Sequence, residues 1–247
     1  ELTPIGGLSG AVVRSNPVAV QVGPDQESAA VRSADGSVAR ADVTDDVVVL
    51  DTRSGLRDPV IDARGYVWSI PARSPAALTA FGPGIESPLL SQSWAAAGAT
   101  DVQAMSISRD GARMAGVVRI GDRTELWLSG VIRDESNNRG VPARLGEPIV
   151  AGTIAGEAVS MVWTDDVTVA VVTRSGTETE IVEQVVGGTS STIAGPAGAS
   201  ITTVATATSS IRLRSDDGGL YVRRGANWLQ TTEGISLLAV QQGTPQQ

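Results

Sequence analysis

The stretch from Val102 to Val131, VQAMSISRDGARMAGVVRIGDRTELWLSGV, decides how the rest of the chain is read. It holds three short β-prone runs, VQAMSIS, ARMAGVV and TELWLSG, separated by Asp110-Gly111 and by Gly121-Asp122. Those dipeptides tolerate positive φ, which a tight chain reversal requires. Three antiparallel strands in so short a span make a meander. Met105 and Ile107 fall on one face of the first strand and Ala104 and Ser106 on the other, and in ARMAGVV both faces again carry apolar or small residues. A sheet with one face in water would alternate apolar and charged residues more cleanly. The pattern therefore predicts a sheet covered on both sides, as a propeller blade is covered by its two neighbours.

Working outward, the same idea recurs. Upstream, VAVQV, SAAVRS, SVARAD and VVVLD predict four strands between Pro17 and Asp51, cut by Gly23-Pro24-Asp25 and Ala34-Asp35-Gly36. LRDPVIDARGYVWSIP follows from Leu56 to Pro71 and reverses at Arg64-Gly65. Downstream, VSMVWTDDVTVAVVTRSGTETEIVEQVVGG turns at Asp165-Asp166 and Ser175-Gly176, and ITTVATATSSIRLRSDDGGLYVRRGANWLQ turns at Ser209-Ser210 and again at Asp216 to Gly219. The first reversals, taken at Asp62, Asp110, Asp165 and Ser210, are 48, 55 and 45 residues apart. A four-stranded propeller blade takes about 40 to 50 residues, so the 247 residues hold about five. A sandwich or barrel would repeat its turns about every 8 to 12 residues with no longer period.

The expectation is a single all-β domain, a β-propeller of five four-stranded antiparallel blades at about residues 17–55, 56–98, 99–150, 151–196 and 197–243, with 1–16 as an entry or ring-closing segment. Two segments read as connections. Residues 81–98 are rich in Gly, Ser, Pro and Ala, and Arg133 to Gly152, RDESNNRGVPARLGEPIVAG, is the most polar stretch and a loop by composition.

Composition narrows the chemistry. The chain is 41% hydrophobic but only 3% aromatic, so its core must be built from Val, Ala, Ile and Leu, with 28 glycines supplying turns. All 19 Lys-plus-Arg positions are arginine, and histidine and cysteine are absent. A Ser-His-Asp or Cys-His site, a Schiff base, a P-loop lysine and a His- or thiolate-ligated metal are therefore excluded. The net charge of -8, with arginines scattered singly, repels polyanions, so nucleic acid is not an expected partner. No apolar run approaches the roughly 18 residues of a membrane span.

Carboxylates, hydroxyls, amides and guanidiniums remain. The enzyme class that fits is glycoside hydrolysis by a carboxylate pair, for which Asp58, Asp62, Asp101, Glu157 and Asp165 lie near predicted strand ends. Such residues more commonly hydrogen-bond their own turn. The Asp-rich turns at Asp110, Asp165 and Asp216 lack the alternating ligands and closing Glu of a calcium loop, so no cofactor or metal is expected. Trp127 and Trp163 sit inside strands and read as packing between blades. Trp94 and Trp228 lie in or beside loops; Trp94 reads equally as an exposed partner anchor and as a satellite core contact. Arg133, Arg139 and Arg144, in the polar segment, complete the partner-binding candidates with Trp94.

With Ser108-Arg109-Asp110-Gly111 inside MSISRDGARMAGV and TELWLSG after it, the chain resembles the C-terminal β-propeller of the LpqB family of actinobacterial lipoproteins. LRDPVIDARGYVWSIP looks like another unit of that family, with its Pro, its Asp-x-x-Gly turn and its aromatic-Val-Trp strand, and LYVRRGANWLQTTEG looks like its C-terminal unit. The Ser-x-Asp-Gly motif reads as intact once and decays elsewhere, as at Gly23-Pro24-Asp25 and Trp163-Thr164-Asp165. The resemblance implies a non-enzymatic accessory lipoprotein of the MtrAB two-component system, outside the cytoplasmic membrane, whose partner is the extracellular domain of the sensor histidine kinase MtrB. Family members carry an N-terminal lipid-modified cysteine and a GerMN-type domain before the propeller. Both are expected upstream of Glu1, and membrane contact is expected only through that anchor. A carbohydrate-active propeller, hydrolase or lectin-like, is the alternative.

Overall fold

Five antiparallel meanders follow one another along the chain and stand side by side around a common axis. The structure, a computed structural model, describes residues 17–42, 47–82, 89–91, 93–134, 140–207 and 210–241. Blade 1 holds β1 (Pro17–Val22), β2 (Ser28–Ser33), β3 (Val38–Asp42) and β4 (Val48–Asp51); blade 2 holds β5 (Val60–Ile61), β6 (Val67–Ser69), β7 (Leu78–Phe81) and β8 (Leu89–Ser91). One turn of helix, α1 (Ser93–Ala96), leads into blade 3, with β9 (Asp101–Ile107), β10 (Arg113–Ile120), β11 (Arg123–Asp134), β12 (Val141–Leu145) and β13 (Ile149–Thr153). Blade 4 is β14 (Glu157–Trp163), β15 (Thr168–Ser175), β16 (Glu178–Val185) and β17 (Ser190–Ala194); blade 5 is β18 (Ile201–Ala207), β19 (Ser210–Ser215), β20 (Leu220–Arg224) and β21 (Asn227–Thr232), and β22 (Val240–Gln241) ends the series.

The two-sided burial read from the sequence is what stacks the sheets. Along β15, Val169 and Val171 join a cluster shared with blade 3, while Ala170 and Val172 join one shared with blade 5. Likewise Met105 and Ile107 on β9 face blade 2, and Ala104 faces blade 4. Because successive strand residues point to opposite faces, each apolar strand feeds two interfaces at once. The largest cluster lies between blades 2 and 3 and includes Trp68, Trp94, Met114 and Trp127.

The first strand of blades 2 to 5 forms the inner edge of its sheet, and in blade 1 β22 lies against the inner edge of β1. β1, β5, β9, β14 and β18 touch in that order, and β22 closes the ring, packing on β18 and pairing parallel with β1 through Gln21↔Val240 and Val22↔Gln241. The ring-closing role considered for residues 1–16 lies outside the described residues.

The polar stretch from Arg133 to Gly152 is not the loop its composition suggests. β11 runs four residues past the end of β10, and β12 returns along it to form a hairpin that leans on blade 2, where Val131, Val141 and Leu145 reach the shared cluster. After an interruption at Gly146-Glu147-Pro148, β13 continues as the outer strand on the same side of β11. Its polar character reflects a position at the outer edge of the sheet, where one side of the strand faces water.

The Ser-x-Asp-Gly turn occurs more often than the sequence reading recognised. Ser33-Ala34-Asp35-Gly36 and Ser215-Asp216-Asp217-Gly218 reverse the chain as Ser108 to Gly111 does, each with the glycine N–H donating to the serine carbonyl and the glycine at positive φ. The copies in blades 1 and 5 join the second strand to the third, whereas the copy in blade 3 joins the first to the second. The same local chemistry thus serves opposite ends of a blade, so the motif does not mark the blade period.

Candidate functional site

The inner strands of the five blades meet around a cavity of about 250 Å³. Apart from β1, which pairs with β22, an inner strand has no sheet partner on its channel side, so its N–H groups need acceptors from elsewhere. Side chains of the preceding blade supply them. Gln21 Oε1 accepts the Ile61 N–H at 2.9 Å, Gln103 Oε1 accepts that of Ala158 at 2.7 Å, and Ser160 Oγ accepts that of Val204 at 3.1 Å. These residues are buried, and each ties one blade to the next. Sequence reasoning missed them, because a glutamine inside an apolar strand has no pattern that announces such a role.

Charged groups of the wall come from blades 1 and 2. Arg32 donates through Nε and Nη2 to Asp58 Oδ1, at 2.9 and 2.6 Å. Arg57 donates Nε to the Val102 carbonyl at 2.7 Å, and its Nη2 stands 3.6 Å from Asp101 Oδ1, within reach of charge attraction but too far for a hydrogen bond. Asp58 is the single carboxylate among the described lining residues, which include no aromatic side chain. A glycosidase needs two carboxyl groups about 5 to 9.5 Å apart across the sugar. The other candidates stand elsewhere: Glu157 is exposed at the start of β14, and Asp62 and Asp165 are consumed by their turns.

Those turns use their carboxylates fully. Asp165 Oδ1 accepts the N–H groups of Val167 and Thr168 at 2.8 and 2.7 Å. Burial pushes the Asp110 carboxyl up, but the Ser108 hydroxyl, the Ala112 N–H and the charge of Arg113 outweigh it and hold the group below the usual carboxylate range. Asp217 is lowered by the Ser215 hydroxyl and the Gly219 N–H, and Asp35 by the hydroxyl and N–H of Ser37. Hydrogen bonding to the ionised form is the common cause. Turn formation therefore accounts for the acidic residues that the calcium reading had picked out.

The partner-binding candidates fall in different places. Trp94 is core: it is 1% exposed, its Nε1 donates to Ser129 Oγ across the seam at 2.9 Å, and its ring reaches β10 at Gly116, in the space that any Cβ would fill. Of its two readings the structure selects packing, and an anchor for an external partner is ruled out by burial. Arg133 is also structural. Its Nη2 meets Asp62 Oδ2 at 2.7 Å and the Gly111 carbonyl at 2.9 Å, its Nη1 donates to the Gly140 carbonyl at 2.9 Å, and its guanidinium lies 5.8 Å from the centre of the Tyr66 ring. Asp62 in turn accepts from the N–H groups of Arg64 and Tyr66 and from Trp68 Nε1, so an ion pair with a fully buried carboxylate joins blades 2 and 3. Arg144, on β12, is exposed, and Arg139 lies outside the described residues. Trp228 is half-buried at the edge of the seam between blades 4 and 5 and donates to the Ala194 carbonyl at 2.8 Å.

Compared with known proteins, residues 1–237 match the model of a family described as the lipoprotein LpqB β-propeller domain. No curated protein matches the chain. Among solved structures, one titled as the crystal structure of a nidogen/laminin complex is similar with a TM-score of 0.61 at 7% identity, over 87% of this chain and 80% of that one. At that identity the likeness is one of fold.

Proposed function

This chain belongs to the lipoprotein LpqB β-propeller family, and from that premise we propose that it is a non-enzymatic binding scaffold of extracytoplasmic signalling that engages the extracellular domain of the sensor histidine kinase MtrB. The family match across residues 1–237 is the observation that carries the reading. Membership of a lipoprotein family supports tethering at the outer face of the cell membrane, and among the described residues no helix is long and apolar enough to cross a membrane. The channel supports a scaffold over a hydrolase, because the one carboxylate among its described lining residues, Asp58, is held by Arg32.

The mechanism is a population shift. A rigid protein that binds one conformation of the sensor domain more tightly than another biases the kinase by the difference of those affinities and by no more. Recognition falls to the β11–β12 hairpin, where Arg144 is exposed and which carries Arg139 in sequence. Pull-down and calorimetry with the purified MtrB extracellular domain test this. Binding is expected, with a loss of about tenfold or more in an Arg139→Ala/Arg144→Ala double variant that leaves the fold intact. Absence of binding by the unmodified chain overturns the partner, and undiminished binding by the variant overturns the placement.

A further inference from the structure

The two glutamines of the channel wall carry more than their latching role. A backbone N–H can only donate, so the atoms of Gln21 and Gln103 that face Ile61 and Ala158 must be the carbonyl oxygens, and the orientation of both carboxamides is thereby fixed. The NH2 ends point the other way. Neither has a hydrogen-bond partner among the described residues, and both side chains line the cavity. The residues are only 4% and 5% exposed, which gives these donors fixed positions in a sheltered place.

Other groups share the wall. Two guanidiniums, Arg32 and Arg57, stand at the wall, the first paired with Asp58 and the second 3.6 Å from Asp101. Val20, Leu56, Met105 and Met161 supply an apolar surface beside them. A cavity of about 250 Å³ with amide N–H donors on its wall, guanidinium groups beside them and an apolar surface suits a small ligand with a strong acceptor end, such as a carboxylate, and a short hydrocarbon body.

We propose that the central channel is a binding site for a small organic carboxylate, its oxygens taken by the NH2 groups of Gln21 and Gln103 with the guanidinium side of the wall, and its hydrocarbon part by Met105 and Met161. This site stands independently of any sensor domain bound elsewhere on the ring. The test is isothermal titration at pH 8 with hexanoate and with its neutral isostere hexanamide. Hexanoate is expected to bind at least about tenfold more tightly than hexanamide, the weight of charge-assisted over neutral hydrogen bonds. Gln21→Glu and Gln103→Glu keep an oxygen for the neighbouring N–H but replace the inward donor by a repelling anion. Each places a carboxylate at a sheltered site and is expected to lower the melting temperature, and the folded variants are expected to weaken hexanoate by about tenfold or more. No heat with millimolar hexanoate, equal affinity for hexanamide, or undiminished binding by folded Glu variants would each overturn the proposal. Comparing the two probes needs no variant, so a substitution that fails to fold does not protect it.

Discussion

Between blades 2 and 3, three tryptophans, two methionines and a set of aliphatic side chains pack from both sheets, and the Arg133–Asp62 ion pair and the Trp94–Ser129 hydrogen bond cross the same seam. Between blades 5 and 1 the joint is of another kind. The two parallel pairs of β22 with β1, the Arg214 Nε bond to the Ile235 carbonyl at 2.7 Å and the Ile235 N–H bond to the Gly218 carbonyl at 3.0 Å hold it. The apolar cluster on that face of blade 1, Ala29, Val31 and Ala41 with Val20 and Val47, draws on blade 1 alone among the described residues. Sheets that follow each other in sequence can be matched side chain for side chain. The last seam must be made by whatever the chain has left, and here much of it is backbone hydrogen bonding. Cooperative units of unequal stability follow from such a difference.

The sharpest way to break the comparison is to attack the strong seam. Trp94→Ala removes a buried indole from a site that cannot collapse, since β10 already approaches through Gly116, and is expected to cost about 3 to 5 kcal/mol. Arg133→Ala leaves the fully buried Asp62 carboxylate without its counter-charge, and a loss of about 3 to 5 kcal/mol is expected for that reason. Denaturant unfolding measures both. If either costs less than about 1 kcal/mol, the seam between blades 2 and 3 is not the stronger one.

Removing residues 235–247 strips the closing seam of its described hydrogen bonds. The expected loss is smaller, about 2 kcal/mol, because each of these bonds contributes about 0.5 to 1.5 kcal/mol net. Hydrogen exchange gives the sharper reading. Amides of β1 should lose protection while those of β9, β10 and β11 keep theirs, and equal loss in both places would mean that the ring opens as one unit.

Acid should find the same weak place by a gentler route. Asp217 caps the turn whose Gly218 carbonyl receives the Ile235 N–H, and its folded pKa is lowered by the Ser215 hydroxyl and the Gly219 N–H. A lowered folded pKa contributes stability that is present above the ordinary carboxylate value near 4 and is lost as pH falls through the lowered one. Protection at the segment 235–241 should therefore decline below about pH 4, ahead of β9 to β11, and Asp217→Asn should remove most of that local pH dependence. A decline that begins near pH 6 would point to a different group.

How much of this was legible in the sequence follows from the same contrast. The blade meanders could be read because Val, Ala and Met on both faces of a strand have few explanations besides two covering neighbours, and Met105, Ile107 and Ala104 face where the alternation put them. Trp94 could not be assigned. It follows a Gly-, Pro- and Ser-rich stretch, and what buries it is a glycine on a strand that only the fold brings underneath. Arg133 reads in sequence as a surface residue because its partner, Asp62, is 71 residues away and belongs to a different blade. The β11–β12 hairpin was masked by polar residues that an outer edge tolerates. Gln21 and Gln103 gave no signal, because the need they meet, an unpaired N–H on a neighbouring inner edge, belongs to the ring and not to either strand.

The smallest expected effect isolates burial from charge. Arg223 Nη1 and Glu183 Oε2 stand 3.2 Å apart across the seam between blades 5 and 4, with side chains 33% and 25% exposed, where Arg133 and Asp62 are 9% and 0%. The two pairs are the same chemistry at similar distances, so Coulomb attraction between the partners does not by itself set them apart. What differs is the fate of the carboxylate once its arginine is gone. Water can reach Glu183 and replace the lost contact, whereas Asp62 keeps its hydrogen bonds from Arg64, Tyr66 and Trp68 but loses its compensating charge in a place that water does not enter. Arg223→Gln should therefore cost less than about 1 kcal/mol and lose even that at high salt, and Arg133→Gln several times as much with little salt dependence. Equal costs for the two substitutions, measured by urea unfolding at low and high ionic strength, would show that desolvation is not what distinguishes the interior seams of this ring from its periphery.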